Sequence, residues 1–193
     1  MITTDILDFI SGIMAGVSEE DIQNLLEKSG ASNLASTVPD GGEFIFCGIP
    51  FIRLGEEQGG ILCITKQDIF TSRFNNGDNN NYRESILRRT LLEEFLPGLD
   101  GGELLPFAMD LKPKISRWGY GTCTDYVGIL TEDLYRKYRQ YIRMNGITWL
   151  CTPYSISRDC PWIRFVNASG NVYNSNTNST YRCRPACIFK KSS

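Results

Sequence analysis

Apolar residues recur at helical spacing near the beginning of the chain. Their positions predict one helix over residues 6–17 and a second over residues 22–28. Residues 31–42 are mostly small and include a proline and two consecutive glycines, which predicts a linker. We therefore expect an N-terminal helical segment with its linker, residues 1–42, followed by a main domain, residues 43–193.

Short apolar and β-branched runs in the main domain are typical of strands. They lie at residues 43–49, 51–54, 60–66, 126–130, 162–167, 171–174 and 181–189. Gly59-Gly60 connects the second run to the third, and Ser169-Gly170 connects the fifth to the sixth. Each of these two pairs of runs is therefore predicted to form an antiparallel hairpin.

Two amphipathic helices interrupt this series of strands. Apolar residues at helical spacing predict the first over residues 86–96, before Pro97. Thr131 can cap the second helix, which is predicted to continue through Ile142. Strands and helices in this order indicate a mixed fold of the α+β class, with antiparallel hairpins and two helices.

The chain of 193 residues contains no histidine. Histidine is the usual general base near neutral pH, the activator of Ser and Cys nucleophiles and the commonest metal ligand. Its absence excludes Ser-His-Asp and Cys-His hydrolases and His-ligated zinc enzymes. Carboxylate, Lys, Tyr or Cys chemistry remains open, as does a function without catalysis.

The seven cysteines are an odd number, and several stand inside apolar runs, as Cys47 and Cys63 do. This pattern favours buried free thiols in a reducing compartment over a secreted disulfide framework. The N-terminal apolar stretch is interrupted by Asp5 and Asp8 and has no basic segment before it, unlike a signal peptide. No apolar run approaches the roughly 18 residues of a membrane span. We expect synthesis in a cytoplasm and no membrane span.

Charge is distributed unevenly along the chain. Residues 1–110 carry a net charge of −11, and residues 111–193 carry +9. The strongest basic and aromatic element is the predicted helix from Tyr135 to Arg143, which could contact phosphates and stack on bases. In the alternative that we favour, its Tyr side chains pack inward and its Arg and Lys side chains extend to solvent.

Paired carboxylates could in principle serve as the acid and base of a glycosidase. The candidates are Glu56-Glu57, Glu93-Glu94 and Asp110. Adjacent residues on a helix point in different directions, and Glu56-Glu57 is predicted near a hairpin turn, so solvated surface acids are the better interpretation. The Asn-rich loop at residues 75–81 departs from the EF-hand spacing and is interpreted as a turn. We predict no catalytic residue, no metal site and no cofactor.

Several short segments stand out by their order along the chain. They are Tyr82-x-x-Ser85-x-Leu87-Arg88, Gly128-Ile129-Leu130-Thr131-x-Asp133-x-Tyr135, Trp149-Leu150-Cys151-Thr152-Pro153, a hairpin at residues 166–170 and the closing Arg184-Pro185-Ala186. Over about residues 43–190 they resemble an uncharacterised domain family of Gram-positive bacteria and their phages. The closing segments are similar to the C-type-lectin-like fold of formylglycine-generating enzymes and of retroelement-diversified phage receptor-binding proteins. The resemblance implies a C-type-lectin-like domain without assigning an activity.

Formylglycine-generating enzymes work through a cysteine pair near the C-terminus. Here Cys183 and Cys187 are predicted to lie on one face of the last strand. The apolar neighbours Ile188 and Phe189 favour buried structural cysteines over a reactive thiol pair.

In C-type-lectin-like folds, irregular loops near the C-terminus display the binding surface. The corresponding residues here combine Tyr and Trp, which give contact area, with Ser and Asn, which give adaptable hydrogen bonds. The predicted ligand-binding residues are Tyr154, Ser155, Ser157, Arg158, Trp162, Arg164, Asn167, Asn171, Tyr173, Asn174, Asn176, Asn178 and Tyr181. Turn requirements explain about half of this composition. The repeated Asn at 174, 176 and 178 would point to one face of an extended segment.

We therefore expect a non-enzymatic phage or prophage binding protein. Its C-terminal loops would bind a protein or glycan ligand, residues 1–30 would attach it to an assembly partner, and incorporation into a virion would follow synthesis in the bacterial host cytoplasm. The alternative is an intracellular phage accessory or counter-defence protein that binds a nucleic-acid-handling host complex through its basic C-terminal portion. An enzyme of unknown type is a third, weaker alternative.

Overall fold

The computed structural model describes residues 31–156 and 161–192. Within these residues the chain forms three α-helices and twelve strands in three sheets, which confirms the α+β class. The helices predicted over residues 6–17 and 22–28 lie outside the described residues. In the part of the chain that the structure describes, no helix is long and apolar enough to cross a membrane.

The strands are short, and the helices span only one to two turns. The strands are β1 (Glu43–Phe46), β2 (Ile49–Glu57), β3 (Gly60–Thr65), β4 (Phe70–Arg73), β5 (Leu104–Leu105), β6 (Phe107–Asp110), β7 (Thr122–Asp125), β8 (Thr148–Pro153), β9 (Trp162–Val166), β10 (Val172–Asn176), β11 (Thr180–Cys183) and β12 (Ala186–Phe189). The α-helices are α1 (Ala31–Thr37), α2 (Ile86–Thr90) and α3 (Glu132–Tyr138).

The first sheet has the order β1-β2-β3-β12-β5 and is antiparallel throughout. The predicted β2–β3 hairpin is confirmed, with Gln58 and Gly59 in its turn at φ of 50° and 83°. Every residue of β3 and β12 is buried. Rings from Phe44, Phe51 and Phe189 pack on one another with centroids 5.4–5.8 Å apart. This aromatic cluster forms the centre of the core on that side.

The segment predicted as a linker instead begins with helix α1, so that prediction is wrong for residues 31–37. The helix lies against β1, β3 and β12, and Ala35 is fully buried. Arg53 Nη1 donates a hydrogen bond to the Ala35 carbonyl at 3.0 Å, and Arg53 Nε pairs with Asp40 at 2.9 Å. The small residues that suggested a linker are those that let a helix approach a sheet closely, and alanine is also the strongest helix former.

The second sheet has the order β10-β9-β8-β11-β4, with β11 parallel to β8 and the other neighbours antiparallel. The predicted β9–β10 hairpin is confirmed. The single strand predicted over residues 181–189 is wrong, because Arg184 and Pro185 separate β11 in this sheet from β12 in the first. Pro185 has no N–H to donate to a sheet. Cys183 and Cys187 therefore lie on different sheets and not on one face of a strand.

The first predicted main-domain helix lies between β4 and β5 along the chain. It is observed as α2, followed by a π-helical turn over Leu91–Phe95 and a 3-10 turn over Leu96–Gly98. Strands β6 and β7 pair as a separate two-stranded sheet. The strand predicted over residues 126–130 is wrong, since only Gly128 makes an isolated bridge, to Ala186. The buried residues of this run pass through the core, so its apolar character reflects burial and not pairing.

Helix α3 has the predicted cap, because the Thr131 hydroxyl accepts a hydrogen bond from the Leu134 N–H at 3.2 Å. Tyr135 and Tyr138 are buried, whereas Arg136, Lys137 and Arg139 are exposed. The favoured arrangement, with Tyr inward and the basic side chains in solvent, is confirmed for these five residues.

Most of the described cysteines are buried free thiols, as expected. These are Cys63, Cys123, Cys151, Cys183 and Cys187. Burial raises the pKa of each, to about 11 for Cys123. Cys47 differs, because it is exposed in the β1–β2 turn with φ of 49°. The expectation of a buried thiol is wrong there, since the turn directs this position away from the core.

Candidate functional site

Tyr154 and Trp162 meet where β8 ends and β9 begins. The Tyr154 N–H donates to the Trp162 carbonyl at 2.9 Å, and the ring centroids lie 6.0 Å apart with the planes 35° from parallel. The Trp162 residue is 44% exposed and Tyr154 is half-buried. The chain between these two strands includes Ser157 and Arg158, which lie outside the described residues. Two predicted aromatic residues thus form a pair of accessible rings.

Asn80 holds this pair in place from the Asn-rich loop. Its Nδ2 donates to the carbonyls of Ser155 at 2.6 Å and Trp162 at 2.8 Å. Its Oδ1 accepts from the Tyr120 hydroxyl at 2.8 Å. Because Asn80 is buried and its amide is bonded at both ends, it fixes the chain on both sides of the undescribed segment. The Asn-rich sequence of this loop had indicated only a turn.

The β9–β10 register divides the predicted residues between the two faces of the sheet. Asn176 is opposite Trp162 and Asn174 is opposite Arg164, so these four share one face. Tyr173 is opposite Phe165 on the other face, where their ring centroids are 5.9 Å apart. The residues predicted as one surface therefore do not form one surface.

A buried charge cluster lies on the same face of the sheet as Trp162. The Glu132 side chain is 1% exposed, and Arg164, 9% exposed, donates from Nε to Glu132 Oε2 at 2.6 Å. Arg136 reaches Glu132 Oε1 at 2.8 Å, and Lys114 Nζ lies 3.9 Å away. Burial acts to raise the pKa of Glu132, but hydrogen bonds from Arg164 and Arg136 lower it more, so the pKa is below its ordinary value.

In this cluster the Arg164 guanidinium, which was predicted to bind a ligand, is instead paired with Glu132. Arg164 also donates to the Asn174 side-chain oxygen and lies 5.9 Å from the Tyr154 ring centroid. Arg164 therefore supports the aromatic pair from below. Three cationic side chains surround one carboxylate, which leaves a local excess of positive charge at Lys114 and Arg136, both about half exposed.

A neighbouring segment extends the surface with residues that sequence reasoning missed. The N–H groups of Lys114 and Ile115 donate to the carbonyls of Pro153 and Tyr154, each at 3.1 Å. Ile115 is 62% exposed. We call Tyr154, Trp162, Asn176, Lys114 and Ile115 the Tyr154–Trp162 surface. The segment had no recognisable sequence signal, because its position depends on pairing with a distant strand end.

Other predicted site residues are used within the fold. Ser155 is buried, and the Asn167 side chain accepts from the N–H groups of Ser169 and Asn171, which shapes the β9–β10 turn. Asn178 accepts from the Gly77 N–H at 2.9 Å. Tyr181 packs on Trp149 with centroids 4.4 Å apart. These contacts within the fold explain the presence of these polar and aromatic residues without requiring that they bind a ligand.

Among the candidate carboxylates, Glu56 and Glu57 are each paired with a lysine. Lys191 binds Glu56 at 2.6 Å, and this hydrogen bond lowers the pKa of Glu56. Partial burial acts to raise the pKa of Glu57, but hydrogen bonds from Lys137 and Tyr138 lower it more. A glycosidase acid needs a raised pKa, so neither carboxyl has the required property. Within residues 31–156 and 161–192, no group of three or more Cys, Asp or Glu is placed to hold a metal ion.

A scan against protein-family models, a search of curated proteins and a search of solved structures found no match to this chain.

Proposed function

We propose that this protein is a non-enzymatic binding protein that presents the Tyr154–Trp162 surface to a protein or glycan on a bacterial cell surface. The observation that carries the proposal is a pair of accessible aromatic rings that pack on each other and extend from a backbone held by a buried asparagine. Rings that are already ordered lose little conformational freedom when a ligand binds. They can stack on a sugar ring or pack on a peptide side chain.

The groups around the rings supply polar recognition. Asn176 is exposed on the same face as Trp162, where its side-chain oxygen accepts from the Asn178 N–H at 2.9 Å, and Lys114 offers an ammonium group. Together they give one apolar platform with hydrogen-bond donors at its edge, a composition typical of binding surfaces. The sequence resemblance to C-type-lectin-like phage domains agrees with this proposal. In that context the protein would be phage or prophage encoded, with residues 1–30 attaching it to a virion assembly.

The test compares two exposed aromatic residues on opposite faces of one sheet. Trp162→Ala removes half of the ring pair, and Tyr173→Ala, at a residue 51% exposed, is the matched control. Binding of fluorescently labelled protein to isolated Gram-positive cell walls would be measured before and after protease treatment of the walls. We expect Trp162→Ala to weaken binding roughly tenfold or more and Tyr173→Ala to leave it unchanged.

The protease arm separates the two ligand classes. Binding that survives protease indicates a glycan, and binding that disappears indicates a protein. Equal binding by wild type and Trp162→Ala would contradict the proposal. Equal loss in both variants would also contradict it, because the effect would not belong to the Tyr154–Trp162 surface.

The second candidate function is binding to a nucleic-acid-handling host complex inside the cell. The exposed Arg136 and Lys137 on α3, and Arg139 immediately after it, favour it. The Tyr135 and Tyr138 rings on this helix are buried, so phosphate contacts would have to supply the affinity. Fluorescence anisotropy with single- and double-stranded nucleic acid tests it. Measurable binding that collapses between low and moderate salt would favour this candidate over the cell-surface one.

A further inference from the structure

A cavity of about 320 Å³ lies beside the end of β3, and it shares no residue with the Tyr154–Trp162 surface. Its lining includes Lys66, Glu43, Tyr141, Arg143 and Arg184. Three of these side chains are cationic and one is acidic. The volume is at the lower end of the range seen for small-molecule sites.

The unusual member of this lining is Arg184, which is 3% exposed. Its guanidinium donates to three backbone carbonyls. Nε donates to the Thr65 carbonyl at 2.6 Å, Nη1 to the Arg143 carbonyl at 2.7 Å and Nη2 to the Lys66 carbonyl at 2.7 Å. Nη1 also lies 3.9 Å from the Met144 sulfur. A guanidinium has five N–H bonds, so one N–H of Nη2 has no acceptor among the described residues.

No carboxylate in the described part of the chain balances the charge of Arg184. Among the described residues no Asp or Glu forms an ion pair with it, and the acid that acts on it, Asp68, is paired with Arg182 at 3.1 Å. Burial lowers the pKa of Arg184, as expected for a guanidinium whose charge is incompletely balanced. Buried charges in proteins are normally paired, since an unpaired one is costly.

The other charged residues of the lining also leave an excess of positive charge. Lys66 Nζ binds Glu43 at 2.6 Å, so these two balance each other. The Arg143 side chain is exposed, while its backbone carbonyl is held by Arg184. The lining of the cavity therefore includes two arginines, one buried and one exposed.

We propose that this cavity binds a small anion through a phosphate or carboxylate group, with Arg184 and Arg143 as its cationic partners. Arg143 supplies two N–H groups in a planar fork that matches such an oxyanion. Arg184 supplies the remaining Nη2 N–H and the long-range charge. Glu43, which also lines the cavity, opposes binding through its negative charge.

Isothermal titration with inorganic phosphate, and separately with acetate, tests the proposal and distinguishes the two anion types. We expect at least one of them to bind the full chain with a Kd below about 10 mM. Arg143→Gln should weaken binding about tenfold, whereas Glu43→Gln should strengthen it severalfold, since it removes a like charge. Both positions are exposed, so both variants should fold.

Arg73→Gln is the matched control, because Arg73 is exposed on β4 and does not line the cavity. It should bind as wild type does. Absence of binding by wild type would overturn the proposal and would mean that the three backbone carbonyls alone hold Arg184. Equal weakening by Arg73→Gln and Arg143→Gln, or weaker binding by Glu43→Gln, would also overturn it.

Discussion

Glu132 and Arg164 form a buried ion pair, with 2.6 Å between Oε2 and Nε. Glu132 is the first residue of α3, and its backbone N–H donates to the Thr152 hydroxyl on β8 at 2.8 Å. Arg164 lies in the middle of β9. The pair therefore ties the beginning of the helix to the sheet that holds the Tyr154–Trp162 surface.

We expect Glu132→Gln to destabilise the fold by about 3 kcal/mol, because Arg164 would be left buried without its counterion. Urea denaturation followed by tryptophan fluorescence measures this change. Glu94→Gln, at an exposed position, is the matched control and should shift the free energy of unfolding by less than about 0.5 kcal/mol. Similar small shifts in the two variants would mean that the pair contributes little to stability.

The same pair makes stability depend on pH in a defined direction. The folded pKa of Glu132 is lowered from an ordinary value of 4.5. Its stabilising contribution is therefore complete above the unfolded pKa and is lost as pH falls through the folded pKa. The stability difference between wild type and Glu132→Gln should be constant from about pH 6 to 7 and should shrink below about pH 4. A difference that grows on acidification would contradict the assigned direction.

Asn80 provides a test of how the aromatic pair is ordered. Asn80→Ala would leave the carbonyls of Ser155 and Trp162 without their donor, and we expect a loss of about 1–3 kcal/mol in the free energy of unfolding. Amide hydrogen exchange should also become faster in residues 154–156, ahead of global unfolding. Asn76→Ala, at an exposed position of the same loop, is the control. Unchanged exchange in Asn80→Ala would show that other contacts order the pair.

Local sequence patterns predicted individual helices and strands. The arrangement of the candidate site depends on contacts between residues that lie far apart along the chain. The helical period around residues 86–96 and the Thr131 cap were sufficient to predict where α2 and α3 begin, because both signals depend on neighbours in sequence. The Asn80 acceptors are 75 and 82 residues away, and the Glu132 partner Arg164 is 32 residues away. The spacing of apolar residues along the chain does not indicate which distant residues will pair. The same limit explains why Arg164 was assigned to a ligand when its guanidinium serves the fold.

The contacts of α1 predict that this helix is part of the folded domain. A chain that starts at residue 31 retains the Arg53 hydrogen bond to Ala35 and the Arg53–Asp40 ion pair, whereas one that starts at residue 43 loses both. Starting the chain at residue 43 also exposes the side of β1, β3 and β12 against which α1 lies. We expect the 31–193 chain to unfold cooperatively with nearly the wild-type urea midpoint, and the 43–193 chain to lose several kcal/mol or to aggregate. Equal stability of the two truncated chains would place the boundary at residue 43 and make α1 dispensable. If 31–193 also binds cell walls as the full chain does, residues 1–30 are not needed for ligand recognition.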